Sequence, residues 1–74
     1  MQVRYLSGIV QAKRDTDKAL LCSFDWNDTH GYCGSDVWVP LSVIHEDDHD
    51  SIAAASSFDL IEISIAEWWL IKNF

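Results

Sequence analysis

Two cysteines and three histidines carry most of the chemistry this chain has to offer. His30 precedes Cys33 by three positions and His45 precedes His49 by four, spacings that zinc ligands use because they return two donors to one side of a turn or helix. With Cys22 upstream, four ligands could be assembled from the five. No Cys-x-x-Cys pair accompanies them, and Cys22 lies in the apolar run Ala19-Leu20-Leu21-Cys22-Ser23-Phe24, where a thiol behaves as a small core residue. A zinc-stapled structural module is therefore a third reading, and no metal is expected. Glu46, Asp47, Asp48 and Asp50 have the charge of a calcium loop without its glycine turn or its distal bidentate glutamate. No Gly-x-Ser-x-Gly elbow activates a serine, and Gly8, Gly31 and Gly34 are too scattered to cradle a phosphate. The carboxylates fall mainly in turns, where water keeps their proton chemistry ordinary. No catalytic residue, no cofactor and no enzymatic activity are expected.

Charge points to a different role. Five Lys and Arg against twelve Asp and Glu give a net charge of −7, which repels nucleic acid and anionic membranes and favours cationic protein surfaces. Asp25, Asp28, Asp36, Glu46, Asp47, Asp48 and Asp50 lie in two loops that flank the third predicted strand, so both could converge on one end of a sheet. Such a patch could imitate a nucleic acid backbone and attract the basic groove of another protein, with Trp26 or Tyr32 as the desolvated anchor. An alternative from another class is a small-molecule or nucleotide-binding module, assembled as an oligomer, in which Trp26, Tyr32 and Arg14 stack on or pair with the ligand.

The elements that would position these residues are few. Seventy-four residues allow one domain, 1–74, near the lower size at which one hydrophobic core supports folding. At 49% apolar and 12% aromatic residues the chain is rich enough to build that core. Val3 to Ala12 reads as a first strand, the polar run Lys13 to Lys18 as a turn, and Ala19 to Phe24 as the second strand of a hairpin. Asp25 to Ser35 reads as a long loop that leaves Trp26 and Tyr32 exposed. Asp36 to Ile44 reads as a third strand, whose Pro40 calls for an edge or a bulge. Ser51 to Ser57 is a short helical turn or a linker.

Phe58 to Ile63 then forms a fourth strand, and Ile65 to Asn73 a closing helix, with Ser64 and Glu67 spaced as a capping box. Trp69, Ala66 and Leu70 dock that helix; either both tryptophans are core, as a chain this small needs aromatic bulk, or one of them, with Phe74, stays exposed as an anchor for a partner or for a second copy of the protein. The expected fold is α+β: a small four-stranded, mainly antiparallel sheet with one short C-terminal helix, a closed barrel being the alternative. No apolar run is long enough to cross a bilayer and the N-terminus lacks the apolar core of a signal peptide, which places the protein in the cytoplasm, with Cys22 and Cys33 reduced.

The order of Lys18-Ala19-Leu20-Leu21, Val37-Trp38-Val39-Pro40-Leu41-Ser42-Val43-Ile44 and Ile63-Ser64-Ile65-Ala66-Glu67-Trp68-Trp69 resembles a class of very short phage and prophage proteins. Their pattern is a strand, a Trp-Ile-Pro-Lys-Ser-like strand and a closing Glu-Trp helix; here Leu41 stands in place of the Lys. The resemblance implies a phage-type accessory protein acting in the host cytoplasm. Many such small acidic proteins bind and block a host or anti-phage defence protein, CRISPR effectors among them. On this reading Trp26, Asp28, Tyr32, Asp36, Glu46, Asp47, Asp48, Asp50 and Trp68 contact a partner with a basic surface.

Overall fold

Alternate residues of four strands point into a single core. A computed structural model describes residues 2–74, with β1 (Tyr5–Asp15), β2 (Ala19–Trp26), β3 (Tyr32–Pro40) and β4 (Asp59–Ala66). Leu6, Val10 and Ala12 of β1, Leu20, Cys22, Phe24 and Trp26 of β2, Val39 of β3, and Ile63 and Ile65 of β4 are buried, as the period of a pleated strand requires. The strands pair antiparallel in the order β3-β2-β1-β4. This is the expected four-stranded sheet. It is open, not closed into a barrel, and two helices accompany it: α1 (His49–Ala54) and α2 (Glu67–Asn73), which add Ile52 and Leu70 to the core.

The β1–β2 turn is tighter than expected, because Thr16 organises it alone. Its N–H donates to Ala19 O at 2.9 Å and its hydroxyl oxygen accepts from the N–H groups of Lys18 and Ala19, an arrangement suited to a short polar side chain. Lys13, Arg14 and Asp15 thereby join β1. The expected long loop from Asp25 to Ser35 also shrinks, since β2 runs on to Trp26 and β3 begins at Tyr32.

Pro40 ends β3 on the sheet edge, as its missing donor demands. The third strand stops there and not at Ile44. A 3₁₀ turn, Leu41–Val43, carries the chain to the opposite edge, where Ile44 forms an isolated antiparallel bridge with Ile65 and His45 N–H donates to Ser64 O at 2.9 Å. His49 ties the crossing down, its Nε2 lying 2.9 Å from Leu41 O and 3.1 Å from Ile44 O.

The predicted capping box does not form. Ser64 N–H donates to Asp48 Oδ2 at 2.8 Å, its carbonyl accepts from His45, and its hydroxyl meets that of Ser7 at 2.6 Å. These bonds hold Ser64 in the extended strand, so β4 runs three residues past Ile63. The helix instead starts at Glu67, its N-cap Ala66 supplying no side-chain bond, and Glu67 N–H donates to Arg4 O at 2.8 Å. Tertiary hydrogen bonds outcompete the local box because they satisfy the same donors while extending the sheet.

One device splits the sheet. The β1–β2 ladder covers only Gln11–Ser23 to Asp15–Leu20, leaving the first half of β1 without β2 partners in register. Trp26 fills the gap. Its indole N–H donates to Ile9 O at 2.9 Å, and beside it His30 Nε2 lies 3.0 Å from Ser7 O, where the ring N–H donates to the carbonyl. The indole packs flat against Gly8: a Cβ there would stand 2.5 Å from Trp26 Nε1 and 2.8 Å from Cζ2.

Candidate interaction surface

Burial sorts the sequence-predicted contact residues first. Trp26 is 3% exposed, so the expectation of an exposed loop anchor is corrected: the residue plugs the sheet. Tyr32 is half-buried and faces Phe74, with ring centroids 6.5 Å apart. Asp36 is exposed on β3, but its carboxylate is 2.5 Å from Lys13 Nζ, a local ion pair that offsets its charge. The ligand trio Trp26, Tyr32 and Arg14 is not assembled. Arg14 pairs with Leu21, while Trp26 pairs with Tyr32 at the other end of β2.

The other carboxylates expected in the contact surface lie in two segments, one tied to β1 and one to the outer edge of β4. The turn that carries Asp28 reaches Ser7 through His30, and the segment that carries Glu46, Asp47 and Asp48 reaches Ser64 through Asp48. Ser7 and Ser64 are register partners joined through their hydroxyls. The two acidic segments thus reach the same level of the sheet from opposite sides of the β1–β4 pair, and Asp36 is not part of either.

A 3₁₀ turn, Glu46–Asp48, followed directly by α1, presents four carboxylates in five residues. His45 precedes them as an N-cap, its Nδ1 accepting from Asp47 N–H at 3.2 Å. Asp47 Oδ2 lies 3.5 Å from the same nitrogen. The imidazole edge meets the ring of Tyr5 at 5.0 Å between centroids and 73° between planes. Tyr5, His45 and Glu46 line a recess of about 360 Å³ with Leu41, Ser42, Ile44 and His49. No lysine or arginine lies within 4.0 Å of Glu46, Asp47, Asp48 or Asp50 among the described residues; Glu46, Asp47 and Asp50 are exposed, while Asp48 is half-buried against Ser64.

Beside this tip lies an apolar patch. Trp68 is 53% exposed and Ile71 61%, and with Val3 they border a recess of about 310 Å³ that also touches Gln2, Arg4 and Glu67. The Arg4–Glu67 pair, 3.9 Å apart, rims it. Arg4 adjoins Tyr5, and Tyr5 pairs with Ala66 at the head of α2, which brings the patch and the acidic tip to the same end of the sheet. Of the two tandem tryptophans, Trp68 is the exposed one, whereas Trp69 is partly buried against the core. Sequence reasoning missed Val3 as a neighbour of Trp68, because that proximity depends on β1 pairing with β4.

Burial drives the Cys22 thiol up to about 12, where it stays a neutral core group. Cys33 is exposed, and both are free. Among the described residues, no three of His, Cys, Asp or Glu are gathered in a way that could hold a metal ion, and no helix is long and apolar enough to cross a membrane. Comparison with protein-family models, curated proteins and solved structures found no match to this chain.

Proposed function

We propose that this protein is a non-catalytic interaction protein that docks on a cationic surface of another protein. The observation that carries the reading is the pairing of an uncompensated acidic tip, Glu46, Asp47, Asp48 and Asp50, with the exposed Trp68, Val3 and Ile71 patch at one end of the sheet. An apolar anchor ringed by charge is the anatomy of a protein-docking site: the anchor supplies affinity, and the charges steer encounter and reject wrong partners. In the context of the phage-type resemblance, the partner is a host or anti-phage defence protein whose basic nucleic-acid groove this acidic end occupies and blocks, in the host cytoplasm.

The test is titration of the protein against purified defence effector complexes at low and high ionic strength, followed by native mass spectrometry. A stoichiometric complex is expected, weakened by salt, by Trp68→Ala and by the charge reversal Glu46→Lys with Asp47→Lys. Binding that is indifferent to salt and to all three changes would refute the docking face, and absence of binding to any basic partner would refute the function.

A further inference from the structure

The two edges of the sheet are not defended alike. β3 carries Pro40, a left-handed residue at Asp36 (φ 55°) and an irregular register between Cys22 and Phe24 of its partner strand, devices that discourage another strand from adding to it. β4 carries none of these. Its eight-pair register with β1, Tyr5–Ala66 to Ala12–Asp59, is uninterrupted, and the main-chain direction of its residues after Asp59, whose N–H turns back to Ser56 O, follows from that regularity.

Residues of an antiparallel strand send N–H and C=O alternately to one neighbour and the other. Glu67 N–H bonds to Arg4 O on the β1 side, whereas Ser64 N–H and C=O bond outward to Asp48 and His45. Glu62 and Leu60, two and four residues before Ser64, therefore also direct both groups outward. No turn, loop or helix of the described residues hydrogen-bonds their main chain. The Ile44–His45 segment already adds to this edge at Ile65 and Ser64, and the edge continues open beyond it. Leu60 is 70% exposed and Phe58 62%.

The geometry points to the Leu60–Glu62 edge of β4 as a strand-addition site for an extended cationic segment of another protein. An added antiparallel strand would exchange N–H···O bonds with both residues, placing one side chain opposite Glu62 and, two residues on, another opposite Leu60. The fitting segment is a lysine or arginine facing Glu62 and an apolar residue facing Leu60. Charge selects this occupant over a second copy. Glu62 and Asp59 have no ion-pair partner among the described residues, and the acidic tip adjoins the same edge at Ser64. Pairing β4 with a second β4 would bring these carboxylates together on two chains that each carry a net charge of −7, and like charges so placed repel. The inference rests on the proposed cationic partner and assigns the main-chain mode by which part of it is held.

The probe is a synthetic all-L heptapeptide, Lys-Thr-Val-Thr-Lys-Thr-Val, in which lysine and valine alternate along one face of the strand, with a control of the same composition whose alternate residues are D and which cannot form an L-strand. Amide hydrogen exchange is followed by NMR. The L-peptide is expected to slow exchange at Leu60 and Glu62 at least tenfold and to bind at least tenfold tighter than the control. Leu60→Lys and Glu62→Lys, both surface changes, should remove that preference without altering the circular dichroism spectrum. Equal binding of both peptides without protection at Leu60 and Glu62 would overturn the edge site and leave the acidic docking face standing. Failure of either peptide to bind in a salt-sensitive way would overturn both readings. Protection of the two amides with a doubled mass in the absence of peptide would overturn the choice of occupant in favour of a second copy.

Discussion

Gly8 and Trp26 form the most sharply testable contact in the fold. In Gly8→Ala the new methyl would overlap Trp26 Cε2 and stand 2.5 Å from Nε1. The indole cannot retreat easily, being 3% exposed and held by its bond to Ile9 O. Overpacking a tight site costs about 1–3 kcal/mol, and disturbing the indole bond adds about 0.5–1.5 kcal/mol. Against these, replacing a strand glycine restricts the unfolded chain and returns about 0.4–1 kcal/mol. The net expectation is a destabilisation of about 0.5–4 kcal/mol, which for a domain of this size lowers Tm by roughly 3–25 °C. The decisive arm is the same change made with Trp26→Leu. Leucine has no ring to reach the space that the methyl would enter, so in that background Gly8→Ala should be neutral or stabilising by a few tenths of a kcal/mol. Urea denaturation of the four proteins gives the coupling energy directly, expected at about 1.5 kcal/mol or more. A coupling below about 0.5 kcal/mol would refute the plug, since the cost of Gly8→Ala would then have nothing to do with the indole.

Other consequences follow from burial and hydrogen bonding. Because the folded pKa of Cys22 is raised to about 12, the folded state holds a proton that the unfolded chain releases near pH 9. Its contribution is therefore complete below that pH and is lost at up to about 1.4 kcal/mol per pH unit between pH 9 and 12, a slope that Cys22→Ala should remove in denaturation curves. In native protein at pH 8 a thiol reagent should modify Cys33 alone, and Cys22 only after denaturant is added. Trp69→Ala should cost about 2–4 kcal/mol in thermal unfolding and Trp68→Ala less than about 1 kcal/mol; equal losses would contradict their different burial. Asp48→Ala, which strands the Ser64 N–H, should cost about 1–3 kcal/mol, whereas Glu46→Gln should stay within about 0.5 kcal/mol.

The sheet was legible in the sequence because strand burial is a period-two signal, and Val10, Ala12, Leu20, Cys22, Phe24, Ile63 and Ile65 all obey it. Leu20, Cys22, Phe24 and Trp26 alternate without a break, so the burial of Trp26 was written in the pattern, and only the turn residues after it suggested a loop. The end of β4 was not legible in this way. Ser64 and Glu67 have the spacing of a capping box, but the choice between box and strand depends on Asp48, sixteen residues earlier, and on Arg4 at the far end of the chain. Local spacing cannot report a competition that is settled by distant partners.

The same dependence governs the interaction surface. Composition revealed that the molecule is acidic, and the loops that hold the charge were visible, but their grouping is set by the crossing from Pro40 to Ile44, which moves Glu46 to Asp50 from the β3 edge to the β4 edge. Asp36, left behind on β3, meets Lys13 and is neutralised. Within the relocated cluster, Asp48 does two things at once: it adds to the negative field, and its Oδ2 holds Ser64 N–H, fixing the tip against the strand. Charge and position are thereby linked in one side chain, while Glu46, Asp47 and Asp50 contribute charge without such an anchor to β4. Changes at those three residues should alter the rate and salt dependence of association with little effect on folding. A change at Asp48 should alter both, because it releases the scaffold that aims the others.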